Sequence, residues 1–235
     1  RAICLATTSG GDHWRGRPSS WSASLDNLAY GGGTDHRLII VSAGNIREPL
    51  PLADYLDRND VSPIESPAQA WNAITVGAIT SRVTIEEDDD EAQRSVPLAP
   101  LSGMSPFTRT AHEWRQDWPI GPDVVMEGGN VAKGHDSAHL HLDSLQPLST
   151  AADFRIRPIT PFNATSAAAA QAACIGGKLI QRYPEYRPES IRGLLVHTAR
   201  WPEALLRRQN LDPHASGKTA DVERSGLPVC PLTLA

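Results

Sequence analysis

The chain has 235 residues, 40% of them apolar and 21% charged, with a net charge of −5. That suits one large α/β domain or two small ones. The acidic balance, without a basic stripe interleaved with aromatics, argues against a nucleic-acid surface. No apolar run approaches membrane-spanning length, which argues against a membrane partner, and no signal peptide is visible.

In chain order, residues 2–8 (AICLATT) read as a short buried strand. The chain enters this element so soon after Arg1 that it reads as a fragment. A turn-rich stretch follows. Residues 21–30 (WSASLDNLAY) then place Trp21, Leu25, Leu28 and Ala29 at helical spacing, stopped by Gly31, Gly32 and Gly33. Residues 37–45 (RLIIVSAGN) have the near-continuous apolar character of an interior parallel strand. Strand, helix and strand make a βαβ unit. Residues 70–80 (AWNAITVGAIT) give a third strand. The acids of 86–91 (EEDDDE) lack the alternating ligands and glycine turn of an EF-hand loop. They read as a solvated loop, with a calcium site as the alternative.

Residues 122–130 (PDVVMEGGN) form a strand ending in a Gly-Gly turn. His135, His139 and His141 follow, the last two alternating with apolar neighbours as on an edge strand, without a complete zinc set beside them. Within 161–176 (PFNATSAAAAQAACIG), the alanines predict a tightly packed helix over 167–173 that Gly176 and Gly177 close. Thr165 and Ser166 stand at its start. Their hydroxyls either cap free N–H groups, or Ser166 is a nucleophile beside donors suited to negative charge. Residues 187–199 (RPESIRGLLVHTA) predict an amphipathic helix with Pro188 and Glu189 in its first turn and His197 as a core or helix-end residue. Beyond Trp201 the chain reads as polar and irregular. Cys4, Cys174 and Cys230 fit neither a zinc pattern nor a disulfide framework and lean toward a reducing, bacterial cytoplasmic setting. Without repeats or a convincing linker, one domain is expected.

Two stretches belong together. Gly44-Asn45 either makes the exit turn of its strand or places an amide donor at the carboxyl edge of a parallel sheet, where open α/β sheets build their sites. Acyl transfer requires a hydroxyl nucleophile and at least two donors at the oxyanion. The Ser166 N–H and the Asn45 side chain could supply both.

The ordered set ICLATTSGG, LIIVSAGN, WNAITVGAIT, SPFTRT with IGPDVVMEGGN, NATSAAAAQAACIGG and PESIRGLLVHTA resembles the second half of a subtilisin-like serine protease (subtilase) catalytic domain. The resemblance covers roughly residues 2–199. It implies an α/β fold, a mostly parallel sheet with helices on both faces, incomplete at its N-terminus, with 200–235 as an irregular tail. It makes Ser166 the nucleophile and Asn45 the oxyanion-hole amide. Ala6, Thr7 and Thr8 become the segment that pairs with extended substrate. Ser42, Ala43 and Gly44 become a wall of the pocket for the side chain before the scissile bond, with Thr165 also against substrate.

Several positions depart from the family pattern. Ala164 replaces the usual glycine, Ala170 replaces the usual proline, and 121 positions separate Asn45 from Ser166. Loops at 47–69, 82–99 and 132–157 account for the extra length. Subtilases carry Asp and His well upstream of the oxyanion asparagine. Only 44 residues precede Asn45 here, and neither His13 nor His36, nor Asp12, Asp26 or Asp35, has the expected context. The resemblance therefore implies a peptide or protein substrate and no cofactor. Asp and His would come from a missing N-terminal half, in the same protein or another chain. Alone, the chain is expected to be nearly inactive. The alternative is an inactive subtilase-like module that binds extended peptides or a partner protein. An α/β-hydrolase is not expected, because no Gly-x-Ser-x-Gly elbow surrounds Ser166.

Overall fold

The computed structural model describes residues 1–10, 15–47, 54–115, 117–135 and 139–208. His13, Asp12 and Cys230 lie outside the described residues.

The central sheet is mixed and mostly parallel. Strand β1 (Ala2–Leu5) runs parallel to β2 (Leu38–Ser42), β2 to β3 (Ile74–Thr80), and β3 to β6 (Val124–Glu127). The two-residue β5 (Gly103–Met104) pairs antiparallel with the end of β3. All five residues of β2 are buried, as its unbroken apolar run requires. Among the described residues strand β1 has a neighbour only on the β2 side, and its residues alternate between exposed and half-buried, so it is an edge rather than a buried strand.

The alternation of side chains along β2 divides the core in two. Leu38 and Ile40 face the long helix α4 (Ala164–Arg182) and α5 (Pro188–Thr198), packing with Ala168, Ala169, Ala172, Ile191 and Leu195. Ile39 and Val41 face the opposite side, with Leu25 and Ala29 of α1 (Ser20–Tyr30) and Ile64. Helices therefore cover both faces. Helix α1 begins with a Ser19–Ser22 capping box and ends at Gly31, whose φ is +57°.

The expected closure of the alanine helix at Gly176-Gly177 is not observed. Helix α4 continues through both glycines to Arg182. A Cβ at Gly176 would stand 2.8 Å from the Leu38 side chain, so this glycine sets the close approach of helix to sheet. Nothing lies within 4 Å of such a Cβ at Gly177.

The expected loops contain short elements. Helix α2 (Tyr55–Asp60) lies in the first, α3 (Asp90–Gln93) and β4 (Val96–Pro97) in the second, and β7 (Ala132–Lys133), β8 (His139–Leu140) and β9 (Leu148–Thr150) in the third. Strands β4, β7 and β8 form a small antiparallel sheet, with β8 and its His139 at the edge. Strand β9 pairs with β10 (Ile159–Pro161). The segment after Trp201 is not wholly irregular: α6 (Glu203–Arg208) forms, and Leu205 is buried against Met104 and Val125.

Candidate active site

The carboxyl ends of β1, β2 and β6 meet the start of α4 at one edge of the sheet. Past Leu5, Ala6 and Thr7 leave the ladder and are exposed, while Thr8 is half-buried. Past β2, Ala43 and Gly44 are buried and Asn45 is half-buried. Ser42, the last residue of β2, is also buried. The Asn45 backbone bridges to Thr108 and its carbonyl accepts from Arg109 Nε at 3.1 Å. Past β6, the Gly128 carbonyl accepts from the Ala164 N–H at 2.7 Å. Gly128 has room for no side chain, since a Cβ there would stand 2.5 Å from Ala78 Cβ and 3.0 Å from the Ala164 oxygen.

Asn163 is the N-cap of α4 and makes no side-chain cap, and neither Thr165 nor Ser166 acts as one. The buried Thr165 bonds instead to the loop after β2. Its N–H donates to Asn45 Oδ1 at 3.0 Å, and its hydroxyl reaches Asn45 Oδ1 at 2.6 Å and the Gly44 carbonyl at 3.1 Å. With the carboxamide oxygen so engaged, the Asn45 NH₂ group is turned away from Thr165. The first four N–H groups of a helix have no intrahelical acceptor. Here those of Ala164 and Thr165 are taken by Gly128 and Asn45. Among the described residues nothing accepts from the Ser166 N–H or bonds its half-buried hydroxyl. Ala164, at φ +65°, holds the left-handed conformation that a glycine, the residue expected here, adopts without strain. Ala170 lies on the exposed face of α4.

A buried carboxylate joins the two flanks of the site. Glu65 donates its backbone N–H to the Ala43 carbonyl at 3.0 Å, accepts the Thr8 hydroxyl at 2.5 Å, and meets Arg109 at 3.1 Å. Arg109 also donates to the Pro63 carbonyl at 3.0 Å. Gly44, at φ +95°, makes room for this side chain, because a Cβ there would stand 2.5 Å from Glu65 Oε2. Sequence reasoning did not single out Glu65 or Arg109. The available signal was a lone acid among small, apolar and proline residues in VSPIESPAQAW.

The other titratable candidates lie away from this edge or are held by other partners. His36 precedes β2 at the amino edge of the sheet, opposite Asn45, and its Nδ1 pairs with Glu189. Asp35 pairs with Arg37, and Asp26 accepts from the Asn72 N–H. His197 is an exposed helix-end residue. His141 stacks on Phe107, and burial lowers the pKa of His139, helped by Arg58, His141 and Lys133. Within the acidic stretch, Asp89 caps α3 and Glu87 accepts from Ser144. Among the described residues no group of three or more His, Cys, Asp or Glu is arranged to hold a metal ion. No helix among them is long and apolar enough to cross a membrane.

A mostly parallel sheet covered on both faces, with strand-end loops meeting a helix start at its carboxyl edge, is a subtilisin-like α/β arrangement. The profile of the subtilase family (Peptidase_S8) matches residues 1–224, and the chain belongs to that family. It is also 29% identical over 231 residues to an uncharacterized protein, y4bN, of Sinorhizobium fredii (strain NBRC 101917 / NGR234). That match takes in 90% of this chain and 52% of the relative, so the chain spans about half the length of the curated protein it matches.

Proposed function

We propose that these residues carry the nucleophile and oxyanion half of a serine endopeptidase. Ser166 attacks the peptide carbonyl, and the Asn45 amide with the Ser166 N–H receives the developing oxyanion. An acyl-enzyme forms on Ser166 and water releases it. No cofactor is called upon. One observation carries the reading. Thr165, the residue before the candidate nucleophile, holds the Asn45 carboxamide oxygen through both its N–H and its hydroxyl. The opposite, donating end of that amide is thereby left for the oxyanion.

An isolated serine hydroxyl is a weak nucleophile at neutral pH and needs a general base. The base and its orienting carboxylate are proposed to come from residues outside this chain, in the same protein or another, since His36 is engaged at the far edge of the sheet. The free side of β1 is the proposed docking edge for that part. The interior strand β2 offers none, because β1 and β3 pair with it on either side. Ala6, Thr7 and Thr8 extend from β1 and would pair with an extended peptide or protein substrate. Ser42, Ala43 and Gly44 would wall the pocket beside it.

The test is labelling with a fluorophosphonate probe, on this chain alone and on the full-length protein. Labelling only of the full-length protein, abolished by Ser166→Ala, is the expected result. Asn45→Ala should leave KM for a peptide nearly unchanged and lower turnover about 10²–10³-fold, the scale known for this donor in a subtilisin. A folded full-length protein that never labels would favour an inactive module that binds peptides by strand addition at the β1 edge.

A further inference from the structure

We infer that Glu65 fills the recess between the two flanks of the site, restricting the substrate residue before the scissile bond to glycine, alanine or serine. This rests on the proposed function, in which segments 6–8 and 42–44 flank that residue. A single oxygen touches both flanks. Glu65 Oε2 lies 2.5 Å from the Thr8 hydroxyl, and 2.5 Å from where a Cβ on Gly44 would stand. At that level the gap is one atom wide, and Glu65 occupies it with 5% of its surface exposed.

Glu65 is fixed from three directions, two of them at its carboxylate. Its backbone N–H holds Ala43, Oε2 accepts from Thr8, and Oε1 meets Arg109. Arg109 is itself anchored on the Asn45 and Pro63 carbonyls. A leucine or phenylalanine side chain would have to displace a paired, buried carboxylate and strand the arginine. An acidic side chain is repelled. A lysine finds no net charge to favour it, because Arg109 already balances Glu65, and no space beside Oε2. A hydrogen atom, methyl or hydroxymethyl group stops above this level.

The test uses the full-length protein and a peptide series differing only at the residue before the cleaved bond. Fluorophosphonate labelling of Ser166 first reports whether the serine is reactive, and so tests the proposed function separately. The expected kcat/KM for alanine, glycine or serine exceeds that for leucine, phenylalanine or lysine by about 100-fold or more, a large discrimination for a pocket that excludes several heavy atoms. Glu65→Gln, which keeps the shape and removes the charge, should keep this order. Glu65→Gly, or Glu65→Gly with Arg109→Ser where the unpaired arginine impairs folding, should raise leucine and phenylalanine relative to alanine by about 10-fold or more. A preference for lysine or arginine that Glu65→Gln abolishes would overturn the inference and make Glu65 a receptor for cations. A wild-type preference for leucine or phenylalanine would overturn it as well. If the serine does not label, the affinities of product peptides ending in alanine, leucine or lysine, measured by calorimetry, decide the matter by the same order.

Discussion

Ala164 shows how a residue can sit in an unfavourable conformation and still be nearly neutral to replace. An L-residue in the left-handed region costs about 1–2 kcal/mol, which Ala164→Gly would relieve. The same change deletes a buried methyl packed with Phe107 and Val131, worth about 0.8 kcal/mol. It also adds backbone freedom to the unfolded chain, about 0.4–1 kcal/mol. These terms cancel, so Ala164→Gly should move Tm by no more than about 2 °C. Ala168, fully buried in the same helix, has no strain to release. Ala168→Gly should cost about 2 kcal/mol from propensity and burial together, or about 4–8 °C in a chain this size. Paired thermal melts check both, and equal losses would show that Ala164 carries no strain. The sequence marked Ala164 as a departure, because a β-carbon where glycine is usual can be read directly. It did not reveal that Thr165 bonds to Asn45. That bond joins residues 120 positions apart, and a hydroxyl before a helix reads locally as a cap.

At the scale of elements, the longer strands of the central sheet and the three longest helices were legible, because each carries its own apolar run or helical signal. The end of α4 was not. Gly-Gly is a stop signal in isolation, but both glycines here are helical, and packing rather than local preference decides their role. Gly176 lies against Leu38, and Gly177 faces open space. Opposite effects should follow from neighbouring substitutions. Gly177→Ala should stabilise by about 0.5–1 kcal/mol through helix propensity. Gly176→Val should destabilise by about 1–3 kcal/mol by forcing the helix off the sheet. Chemical denaturation of the two variants gives the signs directly, and two changes of the same sign would refute the packing role of Gly176. Short elements such as β5, β7 and α6 carry too few residues to show a period, which is why turn-rich stretches concealed them.

Across the whole molecule, the acidic run at 86–91 is largely exposed, as its solvated reading requires, but Glu87 and the helix cap Asp89 anchor it. Burial pushes the Glu87 carboxyl up, but hydrogen bonds from the Ser144 hydroxyl and N–H, with backbone N–H groups at 86 and 87, outweigh it and leave the pKa lowered. A carboxylate with a lowered folded-state pKa contributes stability above its unfolded pKa and loses it as pH falls through the folded one. Glu87→Gln should therefore lower Tm near pH 7, with the difference from the parent closing as pH falls below about 4, where the unfolded carboxyl is protonated. Melts at pH 7, 5 and 3.5 check this. A constant difference at all three would assign the effect to packing. Nothing in the acidic run itself disclosed this contact, because Ser144 lies 57 positions away.

The bond from Thr165 to Asn45 also bears on motion. The amide proposed to receive the oxyanion is steered by the residue adjoining the proposed nucleophile. Asn45 is anchored on the sheet side through Thr108 and Arg109. This bond therefore ties the start of α4 to the end of β2 at the site itself, and a shift of the helix against the sheet has to break it before the serine and the amide can separate.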